Sequence, residues 1–205
     1  MKNSMSNRFR DLFLAQTAFQ TPTEQLKAAL ESVADFIGEM GAQQEGDKTV
    51  RPHWLTLSGA AGCGKTMLAK EVYSFARKHF ETYKNDLGLA AARDIYFNKI
   101  LDMAEKWKSG CWRSEFDEQA WLLVVDDLGV ERDTSGFVKD RLFNLLEKRL
   151  NRWTLITTNL KLKTIQDDYD VRIASRIIRD GNRYRPFKSG DWWLSQPKAL
   201  GGDNE

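Results

Sequence analysis

Gly59-Ala60-Ala61-Gly62-Cys63-Gly64-Lys65-Thr66 is the stretch on which the reading of this chain turns. It is a complete Gly-x-x-x-x-Gly-Lys-Thr motif, and its flanks are the ones its chemistry requires. The apolar tract Trp54–Leu57 before it reads as a strand, and Leu68, Val72, Phe75, Ala76 and Phe80 after it recur at helical spacing. A glycine loop between a strand and a helix turns backbone N–H groups inward around a polyphosphate, and the helix N-terminus adds a favourable dipole. Lys65 then reaches the terminal phosphates and the Thr66 hydroxyl faces a Mg²⁺ ion. Cys63 reads as a small loop residue whose backbone matters, not as a redox centre.

Working outward, the chain alternates strand and helix. A strand is expected at Ile95–Phe97, then a helix carrying Ile100, Met103, Ala104 and Trp107. Trp121–Val125 is a continuous apolar run, as in a strand buried on both faces. A helix over about Phe137–Leu150, a strand at Thr154–Thr157, a helix around Val171–Arg179 and a short strand near Tyr184–Phe187 complete the series. That alternation predicts an α/β fold, a parallel sheet flanked by helices. On the N-terminal side, Phe9, Leu12, Phe13 and Phe19 suggest a short docked helix. Thr21-Pro22-Thr23-Glu24 reads as a capped helix start, and Leu26, Ala29, Leu30, Val33 and Ile37 follow on one face. Gly41–Lys48 reads as a polar loop. The expected organisation is an N-terminal helical segment over 1–45, a nucleotide-binding domain over 46–194 and a frayed tail over 195–205.

Three further elements carry chemistry. The strand Leu122–Val125 ends in Asp126-Asp127-Leu128-Gly129, which delivers two carboxylates to the carboxyl edge of the sheet, where open α/β folds bind ligands. Asp126 is the candidate metal residue, and Asp127 the candidate base for an attacking water. The strand Leu155-Ile156-Thr157-Thr158 ends in Asn159, a candidate partner for a γ-phosphate or the lytic water. In Asp170-Val171-Arg172-Ile173-Ala174-Ser175-Arg176-Ile177, Arg172 and Arg176 share one helix face while Ile173 and Ile177 share the adjacent buried one.

In this order the four elements resemble the AAA+ ATPases, specifically the DnaC/IstB branch of helicase loaders and transposition helpers. The resemblance runs from about Phe19 to Trp192. It rests on Gly64-Lys65-Thr66-Met67-Leu68-Ala69, Val125-Asp126-Asp127-Leu128-Gly129, Thr157-Thr158-Asn159 and Arg172-Ile173-Ala174-Ser175-Arg176-Ile177. The Asp-Asp-Leu-Gly tetrad is its most discriminating piece. It implies a P-loop AAA+ core without a C-terminal lid domain, with ATP and Mg²⁺ as cofactors. Gly59 to Met67 would hold nucleotide, Thr66 and Asp126 the metal. Asp127 would activate water, Asn159 would act as the sensor, and Arg176 would be an arginine finger reaching the nucleotide of a neighbouring subunit. A finger in trans implies a homo-oligomer.

The same resemblance places a nucleic-acid segment at Asn98–Gln119, where Lys99, Lys106, Lys108 and Arg113 are the candidate DNA contacts. Trp107 shares a helix face with Ile100 and Ala104 and reads as core. Two departures are expected to matter: residues 1–45 leave little room for a helicase-docking domain beside the leading helix, so a helicase would be contacted by a shorter segment such as Arg8–Phe19, and Asp191-Trp192-Trp193 lacks the arginine that often closes family members. The first reading the motifs give is an ATPase that loads or remodels a replicative helicase on single-stranded DNA. The second is an IstB/TnsC-like helper that polymerises on duplex DNA and engages a transposase. A small-molecule P-loop kinase with Arg172–Arg185 as a phosphate lid is a third, disfavoured by the acidic pair, which suits water activation.

Composition narrows the field. In 205 residues, 31 Lys and Arg face 29 Asp and Glu, a net charge of +2, so the chain is no polycation that coats nucleic acid indiscriminately. The positive charge is local, with six basic residues and one acidic between Val171 and Lys188. No apolar run is long enough to span a membrane, and the two cysteines, Cys63 and Cys111, form neither a metal pair nor a disulfide framework. A cytoplasmic location is the expectation.

Overall fold

The computed structural model describes residues 4–18, 24–84, 90–112, 114–131, 133, 135–179 and 181–187. The capping residues Thr21 and Pro22, the candidate contact Arg113, and Asp191, Trp192 and Trp193 lie outside these residues.

Five parallel strands form the sheet: β1 (Trp54–Ser58), β4 (Ile95–Lys99), β5 (Leu122–Leu128), β6 (Trp153–Thr158) and β7 (Arg183–Pro186), in the order β4-β5-β6-β1-β7. The side-chain period of two splits each central strand between two cores. Leu55, Leu57, Leu122, Val124, Trp153 and Leu155 face one side, against α1 (Ser4–Gln16), α2 (Glu24–Gln44) and α3 (Lys65–Phe80). Trp54, Leu123, Val125 and Ile156 face the other, against α4 (Ile100–Lys108), α6 (Phe137–Lys148) and α8 (Val171–Ile177). Burial on both faces explains why β5 has no polar residue before Asp126. The short helix α5 (Ser114–Gln119) precedes β5. A hairpin of β2 (Thr82–Lys84) and β3 (Ala90–Ala92) stands apart from the sheet, and α7 (Leu162–Thr164) runs into a π-helical turn, Ile165–Tyr169, before α8.

The α/β alternation is found where it was expected. Two differences have physical causes. The loop predicted at Gly41–Lys48 starts later: α2 continues to Gln44, and the chain turns at Gly46, whose φ is +95°. Gly41 is a packing notch, because a Cβ there would lie 2.1 Å from Cδ2 of Phe9. Phe9 and Phe13 dock α1 against α2 and α3, with Phe9 5.1 Å from Phe80 and Phe13 5.5 Å from Phe75. The hairpin and α5 are missing from the sequence reading because their segments are short and carry no apolar period.

Candidate functional site

Parallel register brings the carboxyl ends of four strands together. Ser58 of β1 is paired with Thr158 of β6, Leu128 of β5 with the same Thr158, and Lys99 of β4 with Asp126. The loop leaving β1 passes through Gly62 (φ +72°) and Gly64 (φ +96°), and α3 begins at Lys65 with Gly64 as its cap. Gly59 must be a glycine, since its Cβ would sit 2.7 Å from the Cβ of Phe187. Lys65 is buried, and its ammonium donates to the carbonyls of Gly59 at 2.9 Å and Ala60 at 2.7 Å, with Sγ of Cys63 at 3.5 Å. Among the described residues no carboxylate pairs with it, so its charge is available to an anion in the loop.

Beside Lys65, Thr66 Oγ1 donates to Asp126 Oδ1 at 3.0 Å, and Thr157 Oγ1 donates to the same oxygen at 2.6 Å. Asp126 is fully buried, and its second oxygen, Oδ2, has no hydrogen-bond partner among the described residues. A buried, half-satisfied carboxylate beside a threonine hydroxyl suits Mg²⁺. Among the described residues no three His, Cys, Asp or Glu side chains converge on one point. A metal ion held by Thr66 and Asp126 would therefore complete its shell with water and phosphate oxygens.

Asp127 occupies the left-handed region with φ +63°, where β5 loses register with β6 between Val125 and Leu128. Its N–H donates to Thr157 Oγ1 at 2.9 Å. Burial raises the Asp127 carboxyl above the ordinary carboxylate value, the charge of Asp126 raises it further, and Lys65 and Lys99 oppose the shift. A carboxylate with raised proton affinity, half-exposed beside the glycine loop, has the character of a general base. Asn159 is exposed at the same edge, directly after β6.

Lys65, Thr66, Asp126, Asp127 and Asn159 thus share one edge. Arg176 does not join them. Its Nε donates to Glu147 of α6 at 2.6 Å, and its guanidinium lies 5.5 Å from the Phe143 ring. Arg172 bonds Asp140 at 2.7 Å and Asp170 at 2.8 Å and stacks on the same ring at 4.5 Å. Of the candidate DNA contacts, Lys99 stands at the acidic edge beside Asp126, whereas Lys106 and Lys108 are exposed on α4, with Lys106 4.8 Å above Trp112. Trp107 is buried in the second core, as its spacing predicts. Sequence reasoning overlooked the role of Thr157, which bridges both acids. A threonine inside an apolar strand next to the acidic strand was the available signal. It also overlooked Glu131 and Tyr169, which are far apart in the chain and meet only in the fold.

No family model and no curated protein matches the chain. Solved structures do. A DnaC helicase loader superposes with a TM-score of 0.60 at 20% identity, covering 81% of this chain and 92% of that one. DnaI superposes with a TM-score of 0.60 at 16% identity, covering 86% and 93%. The replication initiator DnaA bound to AMPPCP and single-stranded DNA gives 0.59 at 17% identity, covering 92% and 52%. This chain spans about half the length of the two nucleotide-bound DnaA structures it matches. The fold of the chain is the AAA+ P-loop fold that DnaC, DnaI and DnaA share.

Proposed function

We propose that this chain is a Mg²⁺-dependent ATPase of the helicase-loader kind, working as a homo-oligomer on single-stranded DNA with a replicative helicase as partner. The observation that carries the reading is the convergence of Lys65, Thr66, Asp126 and Asp127 around Thr157. The likeness to DnaC, DnaI and DNA-bound DnaA supports the cellular setting.

The chemistry follows from the edge. Gly59–Met67 cradles the phosphates, and the Lys65 ammonium exchanges its loop carbonyls for phosphate oxygens as charge builds on them. Mg²⁺, when bound, neutralises phosphate charge and orients the terminal phosphoryl group. Asp127 takes a proton from water as the water oxygen bonds the γ-phosphorus and the bond to ADP breaks; Asn159 steadies that water. Arg176, which lies outside this edge, is the residue proposed to act on the nucleotide of a second subunit. Lys106, Lys108 and Arg113 are the proposed contacts to DNA phosphates.

The deciding experiment measures phosphate release with no DNA, with single-stranded DNA and with duplex DNA, and images particles from the same samples. Stimulation by single strands in a closed assembly supports the loader reading. Filaments on duplex DNA would shift it to a transposition helper, and a phosphorylated small-molecule product would replace it with a kinase.

A further inference from the structure

The turn that carries Asp127 is unusual enough to need holding. Asp127 at φ +63° is a non-glycine residue in the left-handed region, a conformation that is disfavoured for side-chain-bearing residues and persists where neighbours impose it. Two of the restraints come from β6: Thr157 accepts the Asp127 amide, and Thr158 Oγ1 donates to the Leu128 carbonyl at 2.7 Å. Gly129 follows at φ +93°, with the side chain of Leu160 filling the place a Cβ would take, 2.3 Å away.

A further restraint, beside the Val130 N–H that donates to the Asp127 carbonyl at 3.3 Å, comes from Glu131. It is buried, and its Oε2 accepts the Gly129 N–H at 2.9 Å. Its other oxygen, Oε1, accepts the Tyr169 hydroxyl. Tyr169 closes the π-helical turn Ile165–Tyr169, and the next residue, Asp170, caps α8 by accepting the amides of Arg172 at 2.8 Å and Ile173 at 3.3 Å. The Lys139 ammonium sits 5.0 Å from the Tyr169 ring centre. One carboxylate therefore joins the backbone of the acidic turn to the base of the arginine helix. Burial and the charge of Glu131 keep the Tyr169 hydroxyl protonated, so it remains a donor. A buried carboxylate is a poor way to gain stability, since apolar pairs of similar volume do as well, but it fixes geometry. Single π turns inside helices are frequent at functional sites.

We infer that Glu131 and Tyr169 are positioning residues that hold the Asp127 turn in register with α8, so that the water-activating carboxylate and the Arg172–Arg176 face move as one unit. The inference rests on the hydrolytic reading for its kinetic consequence, but not for its structural one.

The test uses the full chain with Tyr169→Phe, which keeps the ring under Lys139, and Glu131→Gln, which keeps the shape. Each should lower kcat about tenfold while the Kd for a fluorescent adenine nucleotide stays within about twofold, the signature of lost orientation. The double variant should be no slower than the slower single, because the two residues form one device. Amide hydrogen exchange should accelerate at 126–131 and at 170–177 together in Tyr169→Phe, and remain unchanged in α3. Wild-type kcat in both variants, or losses that simply add, would overturn the clamp. Unchanged exchange in both segments would overturn it even if the chain hydrolyses nothing. Retained turnover in Asp127→Asn would instead remove the hydrolytic reading and leave the exchange result to judge the clamp alone.

Discussion

The Nε atom of Arg176 lies 2.6 Å from Oε2 of Glu147, so within one subunit the proposed finger is already paired. The arrangement is a two-helix interlock: Asp140, Phe143 and Glu147 on one face of α6 receive Arg172 and Arg176 on one face of α8. Glu147 holds the Nε side of that guanidinium, so it competes with a phosphate on another subunit for the same cation.

Glu147→Gln therefore weakens a competitor. Half-exposed pairs of this kind contribute about 1 kcal/mol or less, so folding is little changed. The expected outcome is a rise of about two- to fivefold in turnover at protein concentrations where assembly is incomplete, fading as concentration increases. Arg176→Ala should bind nucleotide as the wild type does and lose the concentration-dependent part of turnover. Phosphate release measured over a protein dilution series reads both. Full DNA-stimulated activity in Arg176→Ala would remove the finger assignment.

The acidic edge makes a separable pair of predictions. Lys65→Ala removes the one cation in the glycine loop and should weaken nucleotide binding by about a hundredfold, equivalent to roughly 3 kcal/mol for a desolvated charge-assisted contact. Asp127→Asn keeps the loop intact, so binding should hold while turnover falls by about 10² to 10⁴, the usual contribution of a general base. Titration of a fluorescent nucleotide and single-turnover hydrolysis distinguish the two. Equal losses of binding in both variants would contradict the division of roles.

Much of this site is legible in the sequence, for a physical reason. Glycines that require positive φ, a lysine at fixed spacing and an apolar strand ending in acids are local demands, so Gly59–Thr66 and Asp126–Asp127 announce themselves. The rest depends on what packs beside what. Thr157 reads as one more β-branched strand residue until parallel register sets it against Asp126. Glu131 and Tyr169 are 38 positions apart and meet only through the fold. Gly41 misled in the other direction. A glycine in a polar stretch reads as a helix end, yet α2 needs it to admit the Phe9 ring.

That last contact has a measurable consequence. Gly→Ala inside a helix ordinarily stabilises by about 1 kcal/mol. At position 41 the new Cβ would lie within 2.8 Å of three Phe9 atoms, so α1 must shift. Overpacking of this kind costs about 1–3 kcal/mol. Gly41→Ala should therefore lower the melting temperature, and pairing it with Phe9→Leu should recover part of the loss through non-additivity. A raised melting temperature in Gly41→Ala alone would show that α1 does not pack there.

A buried acid in the second core gives the chain a pH signature. Asp117 of α5 is almost fully enclosed, and its Oδ1 accepts the Asn98 amide at 2.7 Å. Burial pushes its carboxyl up from 3.8 to about 6, with the Asn98 bond and the nearby Arg149 charge holding the rise in check. Arg149 is itself buried, bonded to the carbonyls of Asp117, Ala120 and Trp153; burial pushes it down to about 9, which leaves it charged at neutral pH. Because the folded value of Asp117 lies above the unfolded one, its contribution to stability is fully present below about pH 4 and is lost as pH rises through about 6. His53 runs the other way. Burial lowers its pKa, so its contribution is present above about 6.5 and falls away as the solution becomes more acidic. The Asp117 component is isolated by comparison with Asp117→Asn. Relative to that variant, the wild type should gain about 1 kcal/mol per pH unit on going from pH 6 towards pH 4, or about 3 °C in melting temperature per unit. Urea denaturation of both proteins from pH 7.5 to 4.5 measures the difference. A wild-type advantage that shrinks on acidification would mean that Asp117 is ionised and well paired in the folded chain.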